Sequence, residues 1–384
     1  MSTSSVKPLR PTALVISNIA WDFIWQRHQT IASLLARDLD VVYCELPGIR
    51  RVGWRDLPRI VTRLSRLCRG TSAGAEACLD VLRPFVLPPM RARLGALNDA
   101  LIRRFVRRNP RLREGVDLVI TYTAARPAMR LLDAVPRRVL IYDCTDNFSA
   151  VHGVSDELLA NEKLLLERAE VTFVPGLTLA ERHRPRARRI EVVPHGALVE
   201  RFQLERPRRF TSGDDIVLVY YGHIHRQHLD FGLISKVAGL RPSWRIILVG
   251  PVMTPFVFSH NVVLAGQQLH ERLRDFLRDA HAIVLPYAIN DYTRAVFPAK
   301  TYECLATGLP IVSTPLPELQ AAFPDLIRYA ARAEEVVAAV EAAVNDDPLG
   351  RMEARIAAAR VNSWEERVIR LKAVLVELAP EIFA

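Results

Sequence analysis

The sequence has no apolar run approaching the roughly 20 residues that a helix needs to cross a bilayer. It has no cysteine pair at CxxC spacing either. Its five cysteines, at 44, 68, 78, 144 and 304, are odd in number and scattered. That fits reduced thiols of a cytosolic protein rather than a disulfide framework, and no metal-binding spacing is visible among them. Lys7 and Arg10 precede an apolar stretch, but the stretch is short and Ser17-Asn18 breaks it. With no small-residue cleavage site, it does not read as a signal peptide. Acidic residues are scarce between Arg50 and Arg113, where Asp56, Glu76, Asp80 and Asp99 stand against about 16 arginines, a local excess of roughly +12. The whole chain carries only +10, so the remainder is near neutral. A basic stretch this concentrated suggests an anionic partner: a membrane, a nucleic acid or an acidic polymer. Only Trp54, Phe85 and Phe105 stand among its arginines, too few for aromatic interleaving, which disfavours nucleic acid.

What is present points to two domains. A length of 384 residues exceeds what one core usually supports, and 50% hydrophobic with 24% charged residues is ordinary for a globular chain. Strands are expected at Ala13–Ile19, Asp40–Cys44, Leu118–Thr121, Val139–Tyr142 and Val171–Val174, with a helix over Gln26–Arg37. Apolar residues recur at helical spacing, with arginines between, over 57–68 (Leu57, Ile60, Val61, Leu64, Leu67, Cys68). They recur again over 91–108 (Leu94, Leu97, Leu101, Ile102, Phe105, Val106). The polar, basic stretch Glu205–Asp214 reads as a linker. Strand–helix alternation then restarts at Ile216–Tyr221 and continues through Ile246–Val249, Val262–Leu264, Ile283–Leu285 and Ile311–Val312. An alanine-rich helix near 333–344 should face a sheet, and Ser363-Trp364-Glu365-Glu366 reads as the capped start of a last helix. The expected architecture is α/β, with two Rossmann-like doubly wound parallel sheets facing a central cleft. The N-terminal domain would span 1–204, with the last helix, about 363–384, packing back on it. The C-terminal domain would span 215–362.

The most informative segment runs from Ala282 to Thr314, AIVLPYAINDYTRAVFPAKTYECLATGLPIVST. It reads as a buried strand (Ala282–Leu285), an irregular loop from Pro286 to Pro298, and a helix with Lys300 and Glu303 in its first turn. A stop at Gly308-Leu309-Pro310 and a second strand, Ile311-Val312, follow. Such a unit presents backbone N–H groups and the positive end of a helix dipole to an anion, Lys300 adds a point charge, and Glu303 can accept two sugar hydroxyls. Residues Pro298 to Val312, PAKTYECLATGLPIV, resemble the nucleotide-sugar-binding motif of GT-B glycosyltransferases of the family 4 type, P-x-K-x-x-E-x-L-A-x-G-x-P-I-V in its divergent branches. The resemblance implies that the backbone at Ala299–Thr301 holds a donor diphosphate and Glu303 the ribose hydroxyls. Many members carry an earlier glutamate that contacts the transferred sugar; that position is Ala295 here.

Weaker matches agree with it in order and spacing from about 13 to 375. In Tyr220-Tyr221-Gly222-His223-Ile224-His225-Arg226, a strand-end glycine permits close approach of a phosphate. By resemblance, Gly222 lines the diphosphate and Arg226, or else His225, neutralises the leaving group; a solvated loop is the plainer reading. Gln267, Gln268 and Leu269 fall where members pack against the base. In YDCTDNFSA, Asp143 and Asp146 follow a strand. Local capping explains such a pair, while Asp146 placed at the cleft could orient or deprotonate an acceptor hydroxyl. His152 nearby reads as a surface histidine.

Trp21 to Gln29 resembles the W-x(n)-R-x-Q opening of a branch similar to teichuronic-acid-type transferases. Trp25 could stack on a sugar and Arg27 and Gln29 bond its hydroxyls, or the aromatics could form a hydrophobic staple. Tyr122, in Thr121-Tyr122-Thr123, is a further acceptor candidate. Asn161-Glu162, Arg168 to Val171, Pro194-His195-Gly196 and Arg201-Phe202 match patterns whose expected work is architectural.

The resemblance therefore implies a glycosyltransferase that uses a nucleotide-diphosphate sugar and retains anomeric configuration with no bound metal. The leaving group would be met by helix amides, Lys300 and Arg226. The acceptor would be a glycan, a lipid-linked sugar or a small molecule. The protein would be cytoplasmic, with its basic helices resting on an anionic membrane face. A nucleotide-sugar epimerase on the same fold would need its own acid and base, which no residue set clearly supplies. A non-catalytic binding partner is the remaining alternative, and Ala295 is its best support.

Overall fold

The computed structural model of the chain describes residues 10–23, 25–46, 72–73, 78–87, 94–151, 153–204 and 215–382. The expected helix at 57–68, the start of the one at 91–108, the linker at 205–214 and His152 lie outside them. The chain divides into two compact units, residues 1–193 with 368–384, and residues 194–367; the boundary falls inside the last helix, Trp364–Leu378.

The first unit holds an eight-stranded sheet. Its strands are β1 (Thr12–Ser17), β2 (Asp40–Glu45), β3 (Ser72–Ala73), β4 (Leu79–Leu82), β5 (Val116–Thr121), β6 (Arg137–Asp143), β7 (Val171–Val174) and β8 (Ile190–Val192). Their order is β3-β4-β2-β1-β5-β6-β7-β8, and only β3 runs antiparallel to its neighbour. Leu14, Val15 and Ile16 of β1 are all fully buried, as a parallel strand covered on both faces requires. β1 ends at Ser17 rather than at Ile19 because the Ser17 hydroxyl accepts the Ile19 N–H at 2.9 Å, turning the chain out of the sheet.

The helix Leu94–Arg108 presents a different face from the one its leucines suggest. Ile102 and Val106 are buried, but Leu97 is 47% exposed, while Asn98 and Asp99 point inward. Asn98 clasps the backbone N–H and carbonyl of Leu87, both at 2.9 Å. Asp99 takes hydrogen bonds from Arg126 and pairs with Arg130 on the helix Arg126–Ala134. Two polar attachments therefore fix the rotation of this helix.

The second unit holds six parallel strands: β9 (Val217–Tyr221), β10 (Arg245–Val249), β11 (Val262–Gly266), β12 (Ala282–Leu285), β13 (Ile311–Ser313) and β14 (Arg328–Tyr329). Their order is β11-β10-β9-β12-β13-β14. The helix Ala333–Asn345 lays Val336, Val337 and Val340 on this core, as its alanine-rich pattern predicts. The Ser363 hydroxyl accepts the Glu366 N–H at 3.2 Å and caps the last helix.

Both sheets reverse their winding once, between β1 and β5 and between β9 and β12. In open α/β sheets ligands bind outside the strand C-termini at such switch points. Among the described residues no helix is long and apolar enough to cross a membrane.

Candidate functional site

In the second unit the switch point sits where β9 ends in Tyr220-Tyr221-Gly222 and β12 runs into Pro286-Tyr287. Gly222 has φ +132°, a region that side chains other than glycine's disfavour. A Cβ there would strike the Lys300 ammonium and lie 3.0 Å from the Tyr220 hydroxyl. Only glycine lets the lysine come this close.

Lys300 stands at the N-cap of the short helix Thr301–Ala306 rather than inside its first turn. Its Nζ donates to Tyr220 Oη at 3.0 Å and lies 4.3, 5.7 and 5.6 Å from the ring centres of Tyr220, Tyr221 and Tyr287. Burial works against the charge, but the phenol oxygens of Tyr220 and Tyr287 more than offset it and hold the ammonium above its ordinary pKa.

The amides at this helix start are not all available. Thr301 N–H donates to the Pro298 carbonyl at 3.0 Å, and the Thr301 hydroxyl does so at 2.7 Å. The expectation that backbone from Ala299 to Thr301 holds a diphosphate is thus corrected to the amides of Ala299 and Lys300. These two donate to no described group.

Glu303 lies one turn on, its side chain 15% exposed. Tyr221 Oη donates to Oε2 at 3.2 Å, and His270 Nε2 stands 3.3 Å from Oε1. Phe202 backs both partners, stacked on Tyr221 at 6.1 Å and edge-on to His270 at 5.1 Å. Burial raises the Tyr221 pKa well above its usual value, so the phenol stays a donor. It also pushes the Cys304 thiol behind it up to about 12. His270 and Tyr221 were not legible as site residues, because neither carries a spacing signal. His270 could be placed only by its adjacency to Gln268 and Leu269.

The flanking candidates spread out. Arg226 is exposed; its guanidinium lies over the rings of Phe231 (5.6 Å) and Phe256 (5.1 Å) and makes no ion pair among the described residues. His225 Nδ1 accepts the Gln227 N–H at 3.1 Å and its ring faces His228 at 5.7 Å. Gln268 folds back to donate to the Ala265 carbonyl at 2.8 Å, whereas Leu269 is 71% exposed. Ala295 is buried in the 3-10 turn Thr293–Ala295. Asn290 organises that turn, accepting the amides of Tyr292 and Thr293 at 3.0 Å and donating to the Gln227 carbonyl.

In the first unit the structure gathers a buried polar network at the β1/β5 switch point. His28 Nδ1 lies 2.7 Å from the Ser17 hydroxyl, which also accepts Tyr43 Oη at 2.7 Å, and the His28 ring stacks on Tyr122 at 3.6 Å. Arg27 is 3% exposed; its Nε donates to Asp143 at 2.8 Å and its Nη1 to the Val193 carbonyl at 2.9 Å. Gln29 is fully buried, its Oε1 taking the Gln26 N–H at 3.1 Å as half of a capping box and its Nε2 bonding the Ala20 carbonyl.

The expectation that Arg27, Gln29 and Tyr122 meet an acceptor is therefore corrected. Arg27 is used by Asp143, Gln29 by its own helix start, and Tyr122 is 1% exposed, its pKa raised by burial and then by the Asp143 carboxylate. Trp25, 44% exposed, packs edge-on to Trp21 at 5.3 Å, and Trp21 in turn packs on Tyr43. Asp146 is half-buried on the loop after β6. Of the candidates in this unit, Trp25 and Asp146 reach the surface.

Residues 215–346 match the protein family described as "Glycosyl transferases group 1". Over 202 residues the chain is 27% identical to a putative teichuronic acid biosynthesis glycosyltransferase, TuaH, of Bacillus subtilis (strain 168). That alignment covers 46% of this chain and 51% of the relative, so it spans about half the length of the curated protein it matches. Among solved structures, a sucrose-phosphate synthase from Thermosynechococcus elongatus superposes with a TM-score of 0.69 at 14% identity, over 97% of this chain and 100% of that one. Anabaena HepE in complex with UDP superposes with a TM-score of 0.62 at 14% identity, over 97% and 100%. The fold is GT-B, and the resemblance carried by residues 298–312 falls inside the stretch that matches the group 1 glycosyl transferase family.

Proposed function

We propose that this GT-B chain transfers a sugar from a nucleotide-diphosphate donor, held by the second unit, to a glycan, lipid-linked or small-molecule acceptor. One observation carries the reading: Gly222, Lys300 and Glu303, from two stretches of sequence, converge at the β9/β12 switch point. The free amides of Ala299 and Lys300, with the Lys300 ammonium, supply the positive potential that a departing diphosphate needs, and the exposed Arg226 is in reserve. Fixed charges of this kind do the work that a divalent cation does in other transferases, so the transfer step proceeds without added metal; retention at the anomeric carbon rests on the resemblance carried by residues 298–312. Glu303, held at both oxygens, accepts the ribose hydroxyls, and the exposed Leu269 packs on the base. The UDP bound to the similar HepE supports a nucleoside diphosphate as ligand.

TuaH, the relative assigned to teichuronic acid biosynthesis, supports a surface polysaccharide as product. On the acceptor side, Trp25 offers a stacking surface and Asp146 a carboxylate. The enzyme works in the cytoplasm, on the inner membrane face. An epimerase is not favoured, since among the described residues no acid–base pair accompanies Glu303 beyond His270, and the curated relative is a transferase.

The test is calorimetric titration with UDP, GDP, dTDP and ADP in EDTA, on the wild type and on Glu303→Ala. The expected result is binding of one nucleotide, weakened by about 10- to 100-fold in the variant. No binding by any of the four would overturn the reading.

A further inference from the structure

A second constellation lies in the first unit and uses none of the residues assigned above to the donor. Cys144 follows β6 directly, Glu162 sits midway along the helix Asp156–Arg168, and His183 ends the helix Leu177–His183. All three are buried, at 0%, 7% and 6% exposure. Cys144 Sγ stands 3.6 Å from His183 Nε2 and 3.8 Å from Glu162 Oε1, and one donor atom from each residue lies within 4.8 Å of the other two.

Those separations have a chemical meaning. Zinc bonds of about 2.3 Å to sulfur and about 2.0–2.1 Å to nitrogen or oxygen, in a tetrahedron, put neighbouring donors about 3.5 Å apart. Cys144 Sγ thus already stands near the tetrahedral edge distance from both His183 Nε2 and Glu162 Oε1. As hydrogen bonds of a thiol the same contacts are weak. Tyr142 Oη donates to Glu162 Oε1 at 2.7 Å, the outer contact that orients a carboxylate ligand. The Asp146 carbonyl, 3.4 Å from Cys144 Sγ, or a water can complete four donors.

We propose that Cys144, Glu162 and His183 bind one zinc ion, which clasps the end of β6 to the two helices that follow it. A thiolate and a carboxylate balance the charge of a dication, so the buried site is neutral overall. Loss of the ion lowers the stability of the first unit and leaves nucleotide affinity, a property of the second, in place.

The experiment uses the full chain with any affinity tag removed. Zinc is measured by elemental analysis, and the metal-stripped protein is then titrated with cobalt(II), which reports thiolate ligation through a sulfur-to-metal charge-transfer band. The expected result is one zinc per chain and a saturable band, abolished in Cys144→Ala and His183→Ala and kept in His260→Ala, an exposed control. A wild-type protein that gives no thiolate band with cobalt overturns the site, as does a band that survives Cys144→Ala. If the variants do not fold, the wild-type titration decides alone.

Discussion

Glu303 is held before any ligand arrives, with Tyr221 on one oxygen and His270 on the other. A carboxylate fixed in this way accepts a ribose diol without first losing its own freedom. Hydrogen bonds to a charged acceptor contribute about 1.5–3 kcal/mol, so Glu303→Ala should weaken nucleotide binding by about 10- to 100-fold. His270→Ala frees only Oε1 and should cost a few-fold, read by the same calorimetry. Gly222→Ala combines a disfavoured φ with a Cβ that displaces the Lys300 ammonium. Losing one preorganised charge partner lowers kcat by about 10²–10³-fold, so Gly222→Ala and Lys300→Met should fall together in kcat. A double variant no worse than either single one would confirm that the two act as a unit.

These three residues were legible because a motif fixes Lys300 and Glu303 locally, and a strand-end glycine is a local feature. Arg27 and Gln29 were misread for the opposite reason. The partner that takes Arg27 inward, Asp143, is 116 residues away, and no local pattern announces a buried ion pair across that distance.

Elements show the same division between local and distant causes. The long inner strands, such as β1, β5, β6, β9 and β12, announce themselves as apolar runs because both faces are covered. The edge strands β3, β8 and β14 did not, nor did β4 beside β3. β8 and β14 have three and two residues, too few for a period to appear, and β8 carries Glu191 at its centre. The helix Leu94–Arg108 was placed correctly along the chain and wrongly in rotation, since Asn98 and Asp99 override the leucine stripe. That override is testable by pH. Hydrogen bonds from Arg126 hold the Asp99 carboxyl below its ordinary pKa. Above the ordinary carboxylate range Asp99 is ionised in both the folded and unfolded chain, and its contribution to stability is complete. As pH falls through that range the unfolded chain takes up the proton first, so stability declines until the depressed folded pKa is passed. Asp99→Asn should be less stable at neutral pH and should show a shallower loss in urea unfolding between about pH 5 and pH 2. Equal slopes for the two proteins would mean that this contact does not set the helix rotation.

At the scale of the whole molecule the charge is lopsided, and the structure shows where part of it stands. Arg103, Arg104, Arg107, Arg108, Arg111 and Arg113 are all exposed along and just after the helix Leu94–Arg108. Leu97, Arg104 and Arg108 recur at helical spacing on its outward side, which joins an apolar contact to cationic ones. Arg111 is paired with Asp80 and Arg113 with Glu114, but both pairs are open to water and contribute little to holding the charge in place. Near an anionic bilayer each arginine contributes about 1 kcal/mol, so the four of the helix that make no ion pair among the described residues account for roughly a thousandfold in partition. The protein should therefore sediment with vesicles containing phosphatidylglycerol and not with pure phosphatidylcholine, and the bound fraction should fall steeply as salt rises. Replacing Arg103, Arg104, Arg107 and Arg108 by glutamine should release it while nucleotide affinity in the second unit stays the same. Binding that persists in high salt would point to apolar insertion through Leu97 and its neighbours instead. Equal affinity for vesicles and for duplex DNA would mean that the arginines read charge density alone, and a membrane-bound acceptor would lose its main support.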